Sequence, residues 1–269
     1  MNVRSAEPLT TSEPTVTRRA LLGAAALLPL VGCREDERTP AAAPPTPIDT
    51  TRLRRLERRF DTRLGVYAIN TGTGEELAYR SEERFAFCST FKGLAAAAVL
   101  DRNPLSELDA VVRYTEAELM PSSFITRDHV DTGLTLRQAC DAAIRFSDGT
   151  AGNLLLREIG GPAGLTKYVR SLGDEVTRSD RTEPHLARRT PGDPRDTTHP
   201  RAIATDYRKI VLGDALPPAR RAFLRDLLER NTTGDNRIRA GLPRNWAVAD
   251  RTGTGNYGII NDVAIAWPP

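Results

Sequence analysis

Cys88-Ser89-Thr90-Phe91-Lys92-Gly93-Leu94-Ala95-Ala96-Ala97-Ala98-Val99-Leu100 places a serine and a lysine three residues apart at the mouth of an alanine-rich stretch. If Phe91 to Leu100 is helical, positions i and i+3 share a face, and the hydroxyl and the amine come within hydrogen-bond reach. A helix N-terminus favours negative charge and disfavours an ammonium. Lys92 is also one of only three lysines, with Lys167 and Lys209, among 38 basic residues. Arginine stays protonated at any working pH, whereas a desolvated lysine can lose its proton and act as a base. A serine beside such a lysine is an activated nucleophile. For the pair alone, a helix N-cap and a solvated lysine is the more common reading, and only the segments downstream change it.

Upstream, Ile48 to Phe60 carries Leu53, Leu56 and Phe60 at helical spacing with arginines between them. Leu64–Ile69 and Glu76–Arg80 read as strands across the Thr71-Gly-Thr-Gly74 turn. Downstream, helical patterns dominate: Leu136–Phe146, Ala151–Ile159, Ala163–Leu172, Asp206–Leu212 and Pro218–Arg230. They are interrupted by a long Pro/Gly/Asp/Arg loop over 178–200, and a loop of that length is functional or disordered. Strand character returns at Trp246–Asp250 and Tyr257–Trp267, separated by Thr252-Gly-Thr-Gly255. The order predicts an α/β (α+β) fold. An antiparallel sheet flanked by helices is built from both termini (50–87 and 230–269), and an all-helical domain is inserted at 88–229.

The 269 residues suffice for a sizeable core. With 38 basic against 35 acidic residues and a net charge of +3, there is no basic run interleaved with aromatics, which argues against a nucleic-acid partner. His129, His185 and His199 lack ligand-like spacing, so no metal and no other cofactor is expected. Residues 1–33 read as an export signal: Arg18-Arg19, an apolar stretch from Ala20 to Val31, then Gly32-Cys33. The paired arginines fit twin-arginine export, and Leu30-Val-Gly-Cys33 fits lipidation of Cys33, with ordinary cleavage as the alternative. Membrane attachment would then be by lipid anchor only, with 34–49 a disordered tether and the protein a monomer. Cys88 and Cys140 are expected to be buried thiols.

Three further segments carry chemistry. Ser147-Asp148-Gly149 follows a helix, and a serine there could relay a proton; the plain alternative is a helix end and turn. Glu183, before Pro184 in the long loop, could be held rigidly by an unusual peptide geometry and activate a hydrolytic water, unless it is simply solvated. Arg181 and Asp196 could clamp that loop by an ion pair. Arg251-Thr252-Gly253-Thr254 after a strand could grip an anion, the glycine allowing close backbone approach; a charged hairpin turn is the alternative.

Together these segments resemble the class A serine β-lactamases. Phe87-Cys-Ser-Thr-Phe-Lys92, Asn231-Thr-Thr-Gly-Asp235 and Pro191 to Thr198 strengthen the resemblance, which runs from about Ile48 to the last residue. It implies hydrolysis of small-molecule β-lactams. Ser89 would form the acyl-enzyme, Lys92 would help deprotonate it, Ser147 would pass a proton to the leaving nitrogen, and Glu183 would activate the deacylating water. Backbone N–H groups of Ser89 and Thr254 would form the oxyanion hole. Arg251, Thr252 and Thr254 would hold the substrate carboxylate, joined by Arg237.

The chain also departs from the family. Gly149 replaces an asparagine, which is expected to weaken substrate orientation and open room in the cleft. Arg251 replaces a lysine, Ala187 stands where an asparagine helps hold the water, and Ser122 stands where many members place an aromatic wall. The family continues past Trp267-Pro-Pro269 into a final strand and helix, so the sequence reading expects an incomplete and unstable chain with unpaired strand edges. A penicillin-binding transpeptidase or peptidase remains an alternative, as does an inactive fragment or a covalent trap without turnover. Glu183 argues against the transpeptidase.

Overall fold

The computed structural model describes residues 50–188 and 190–269. The expected signal segment, Cys33 and the tether lie outside the described residues. Helix α1 (Thr51–Phe60) precedes a hairpin of β1 (Val66–Ile69) and β2 (Glu76–Tyr79). The apolar stripe of α1 forms as the spacing predicts, yet Leu56 and Phe60 are exposed. What ties α1 down is polar: Glu57 accepts the Leu64 N–H at 2.7 Å and pairs with Arg80 at 2.9 Å.

Helix α2 (Phe91–Arg102) is the axis of the core, buried at every position from Phe91 to Leu100. A helix apolar on all sides belongs in the interior, and its alanines let neighbours approach closely. Around it pack α3 (Leu136–Arg145), α4 (Gly149–Glu158) and α5 (Gly161–Ser171). α6 (Pro200–Val211) and α7 (Pro218–Glu229) complete the ring. Tyr207 of α6 donates its hydroxyl to the Thr90 carbonyl at 2.6 Å, fixing the start of α2. Cys88 and Cys140 are buried thiols, and burial pushes Cys140 up to about 12.

The region expected to be all-helical, 88–229, also holds short strands, one pair within it and one strand paired to the segment just before it. β3 (Phe85–Ala86) pairs with β6 (Thr197–Thr198), and β4 (Val111–Val112) pairs with β5 (Leu134–Thr135). Near the C-terminus, β7 (Ala247–Thr254) and β8 (Ile260–Trp267) form an eight-residue antiparallel ladder. This corrects one boundary. Thr252-Gly253-Thr254 is strand, not turn, and the reversal falls at residues 255–259. Gly253 belongs inside the strand because a Cβ there would stand 2.7 Å from the Phe87 carbonyl oxygen. The single sheet expected from both termini is present as two hairpins with no ladder between them among the described residues. Helix α6 packs against both β1 and β8 and so spans the two.

Candidate active site

Ser89 sits in a 3-10 turn, Cys88–Thr90, that runs directly into α2. Cys88 just before it has φ 47°, and Ser147 opposite has φ 59°. Backbone held in this region costs about 1–3 kcal/mol per residue and marks sites where aim matters more than comfort. Lys92 Nζ donates to Ser89 Oγ at 3.1 Å and to the Ser147 carbonyl at 2.9 Å. Ser89 Oγ in turn donates to Glu183 Oε1 at 3.1 Å, and Lys92 and Glu183 are 3.2 Å apart. Lys92 is 1% exposed. Burial lowers it to about 8, against the opposing pull of Glu183 and with help from Arg251. A lysine with that pKa carries an appreciable neutral fraction near neutrality, which is what a base requires.

The loop carrying Glu183 is held from both ends. Arg181 Nε bonds Asp196 Oδ2 at 2.6 Å, so the expected clamp is present. Asp196, fully buried, also accepts the N–H of Asp180 and Arg181. Arg178 forms a bridge with Thr197 at the neck. The Glu183–Pro184 peptide bond is cis. Asn153 of α4 adds a grip that the sequence reading missed. Its amide accepts the Glu183 N–H at 2.9 Å and donates to the Glu183 carbonyl at 3.0 Å. Thirty residues separate the two, and no local pattern marks the contact.

Asp148 braces the opposite wall. Fully buried, it caps α4 through the Ala151 N–H at 2.8 Å and accepts the N–H of Ile125 and Thr126, each at 2.9 Å. The turn segment carrying Ser122 and Phe124 is thereby fixed beside Ser147. The room expected next to Gly149 is partly taken, because a Cβ there would lie 2.4 Å from Ser122 Oγ and 3.2 Å from Met120 Cβ. Phe124, two positions beyond Ser122, is an exposed aromatic that lines the cleft.

On the third side, Thr252, Gly253 and Thr254 of β7 line the cleft with Arg237 and Thr233. Arg237 donates to Thr254 Oγ1 at 3.3 Å, and Thr233 and Thr252 share a hydroxyl contact of 2.6 Å. Arg251 departs from expectation. It is fully buried behind the cleft and donates to Ser147 Oγ at 2.8 Å and to Thr252 Oγ1 at 3.3 Å. Its long planar head reaches past the strand edge to the serine, leaving Arg237 as the half-buried guanidinium on the open cleft. Burial lowers Arg251 to about 10.

A serine polarised by a buried lysine, a second serine on an arginine, and a carboxylate aimed at the nucleophile define a serine hydrolase that works through an acyl-enzyme. The comparisons give the family. Residues 50–269 match the model of the β-lactamase enzyme family, to which this chain belongs, with a structure of class A. The chain is 58% identical over 230 residues to a β-lactamase of Amycolatopsis lactamdurans, covering 86% of this chain and 76% of that one. It is 51% identical over 260 residues to a β-lactamase of Mycobacterium tuberculosis, covering 94% and 85%. Among solved structures, the class A β-lactamase of the last common ancestor of Gram-negative bacteria superposes with a TM-score of 0.79. That structure is 52% identical, with 81% of this chain and 84% of that chain covered.

Proposed function

We propose that this chain hydrolyses β-lactams through an ester on Ser89, with the ring opened and released by the groups described above. The observation that carries this reading is the three-way contact of Ser89, Lys92 and Glu183 within 3.2 Å. Ser89 Oγ attacks the lactam carbonyl carbon while its proton passes to neutral Lys92. The C–N bond then breaks, and a proton reaches the leaving nitrogen through Ser147. Arg251, hydrogen-bonded to Ser147, holds that hydroxyl in place, and Arg237 with Thr252 and Thr254 takes the substrate carboxylate. The N–H groups of Ser89 and Thr254 receive the developing oxyanion; removing one such donor typically costs about a hundredfold or more in rate. Glu183 removes a proton from water, the hydroxide attacks the ester, and Ser89 leaves with its proton restored.

Glu183→Ala should stop the second half only. Intact-mass spectrometry after penicillin exposure should then show a persistent adduct on the peptide bearing Ser89. Release at the wild-type rate would remove Glu183 from its role, and absence of any adduct or hydrolysed drug in the wild type would end the reading. For the segment before residue 50, the twin arginines and Cys33 support export with a lipid anchor on the outer face of the membrane and a monomeric enzyme beyond it. No helix among the described residues is long and apolar enough to cross a membrane.

A further inference from the structure

The Glu183 loop leaves the helical layer at Asp174–Thr177 and rejoins it at α6. Its neck is closed by a hydroxyl contact of 2.6 Å between Thr177 and Thr198. Behind the neck lie two acids that the reaction does not use. Asp174 Oδ1 accepts the Val176 N–H at 2.6 Å and the Thr177 N–H at 2.9 Å. Its Oδ2 meets no nitrogen or hydroxyl donor, and neither does either oxygen of Asp206 on α6. Both side chains are buried, Asp206 to 1% exposure, and the two carboxyl groups lie within hydrogen-bonding reach of each other. Two ionised carboxylates in buried contact repel, and a proton held between them relieves the repulsion and supplies a donor to oxygens that meet none from the protein.

We propose that Asp174 and Asp206 share one proton, and that the resulting acid–carboxylate bond positions the neck of the loop that presents Glu183 to Ser89. Both are positioning residues, and the inference rests on the deacylation role given to Glu183. The surroundings favour one proton rather than two. Burial and the facing Asp174 push Asp206 up to about 9. Burial also raises Asp174, but the hydrogen bonds from Thr177 and Val176 outweigh it and hold that carboxyl below its ordinary value. The charged and titratable groups facing the pair are Lys209 of α6, which bonds the Leu172 carbonyl, and Arg170 of α5, which bonds the Asp174 carbonyl. Tyr168 also lies within electrostatic range of Asp206, and of Asp101.

The sign follows from linkage. Between the unfolded carboxyl value of 3.8 and about 9, the folded chain holds a proton that the unfolded chain lacks, so stability falls as pH rises through that window. Asp206→Asn supplies an amide donor and cannot ionise. From neutrality to about pH 9, the wild-type Tm should fall by about 3 °C per pH unit more than that of D206N. Over the same range the decay of the acyl-enzyme should slow by up to about twofold in the wild type, half of the pairs having lost the proton at about pH 9, and hold steady in D206N. Asp174→Asn removes the facing charge but leaves Asp206 buried and ionisable, so both the Tm fall and the slowing should end at a lower pH than in the wild type; this variant serves if D206N does not fold. Infrared spectra of the wild-type full chain at neutral pH should contain the carbonyl stretch of a buried protonated acid.

Parallel Tm profiles without that stretch overturn the pairing. So does a wild-type Tm that follows added or chelated cations, since a metal would then join the two acids. Altered melting with an unaltered decay constant overturns the positioning role. Failure to form any ester on Ser89 would instead sink the β-lactamase mechanism, while melting and infrared would still judge the acid pair.

Discussion

Filling Gly149 tests the geometry of the cleft wall directly. A Cβ at this position lies 2.4 Å from Ser122 Oγ, where ordinary contact begins at 3.4 Å, so about 1 Å must be yielded. The backbone around Ser122 has little to give. Gly149 N–H is bonded to the Ser122 carbonyl at 3.1 Å, and Met120 N–H to Ser123 Oγ at 2.8 Å. Ser123 Oγ is itself bonded to Thr150 Oγ1 at 2.7 Å. The Ser122 hydroxyl must therefore rotate or the wall must shift, and overpacking of this kind costs about 1–3 kcal/mol. Gly149→Ala alone mixes this cost with the gain from replacing glycine at the first residue of α4, about 0.5–1 kcal/mol. A double-mutant cycle with Ser122→Ala cancels the backbone part. The coupling should be about 1–2 kcal/mol in favour of the double variant, read as a Tm recovery of about 2–8 °C for a domain of this size. Thermal unfolding of the four proteins at neutral pH, followed by circular dichroism, measures it. Effects that add to within about 0.5 kcal/mol would show that Ser122 does not occupy this space.

Acylation followed by stopped flow under single-turnover conditions should quicken as pH rises toward about 8, because the neutral form of Lys92 grows through that value. A flat profile there would pass the Ser89 proton to Glu183, which lies equally near. In linkage terms the depressed Lys92 disfavours the folded state below about 8, and this penalty fades as pH rises from there toward the unfolded value of 10.5. Arg181→Ala leaves the buried Asp196 without its cation, so chemical denaturation should show a loss of about 3–5 kcal/mol. Deacylation should slow more than acylation, and equal slowing would detach the clamp from Glu183. Cys33→Ala should free the protein from membrane pellets on cell fractionation; retention in the pellet would refute lipid anchoring.

The helices from Leu136 to Glu229 were legible because amphipathic spacing survives tertiary packing, and their observed ends differ from the expected ones by a few residues, most at the start of α6. Ser89, Lys92, Ser147 and Glu183 were legible because each lies in a short segment with its own chemical signature, and the fold brings Ser89 and Glu183 together across ninety-four residues. Three things were not. Thr252-Gly253-Thr254 has turn composition, and only the approach of the Phe87 carbonyl explains why a strand wants glycine there. The direction of the Arg251 head depends on Ser147 across the cleft. Asn153 and Asp206 look like ordinary polar positions of surface helices, and nothing local reveals that one grips a loop and the other faces an acid.

Arg251 has a consequence for anyone titrating the cleft. Of the two buried cations beside Ser147, Lys92 changes charge near about 8 and Arg251 only near about 10. The arginine is thus a spectator over the physiological range. It supplies a constant background potential, and a kinetic inflection near neutrality reports the behaviour of a single ammonium, free of interference from its neighbour.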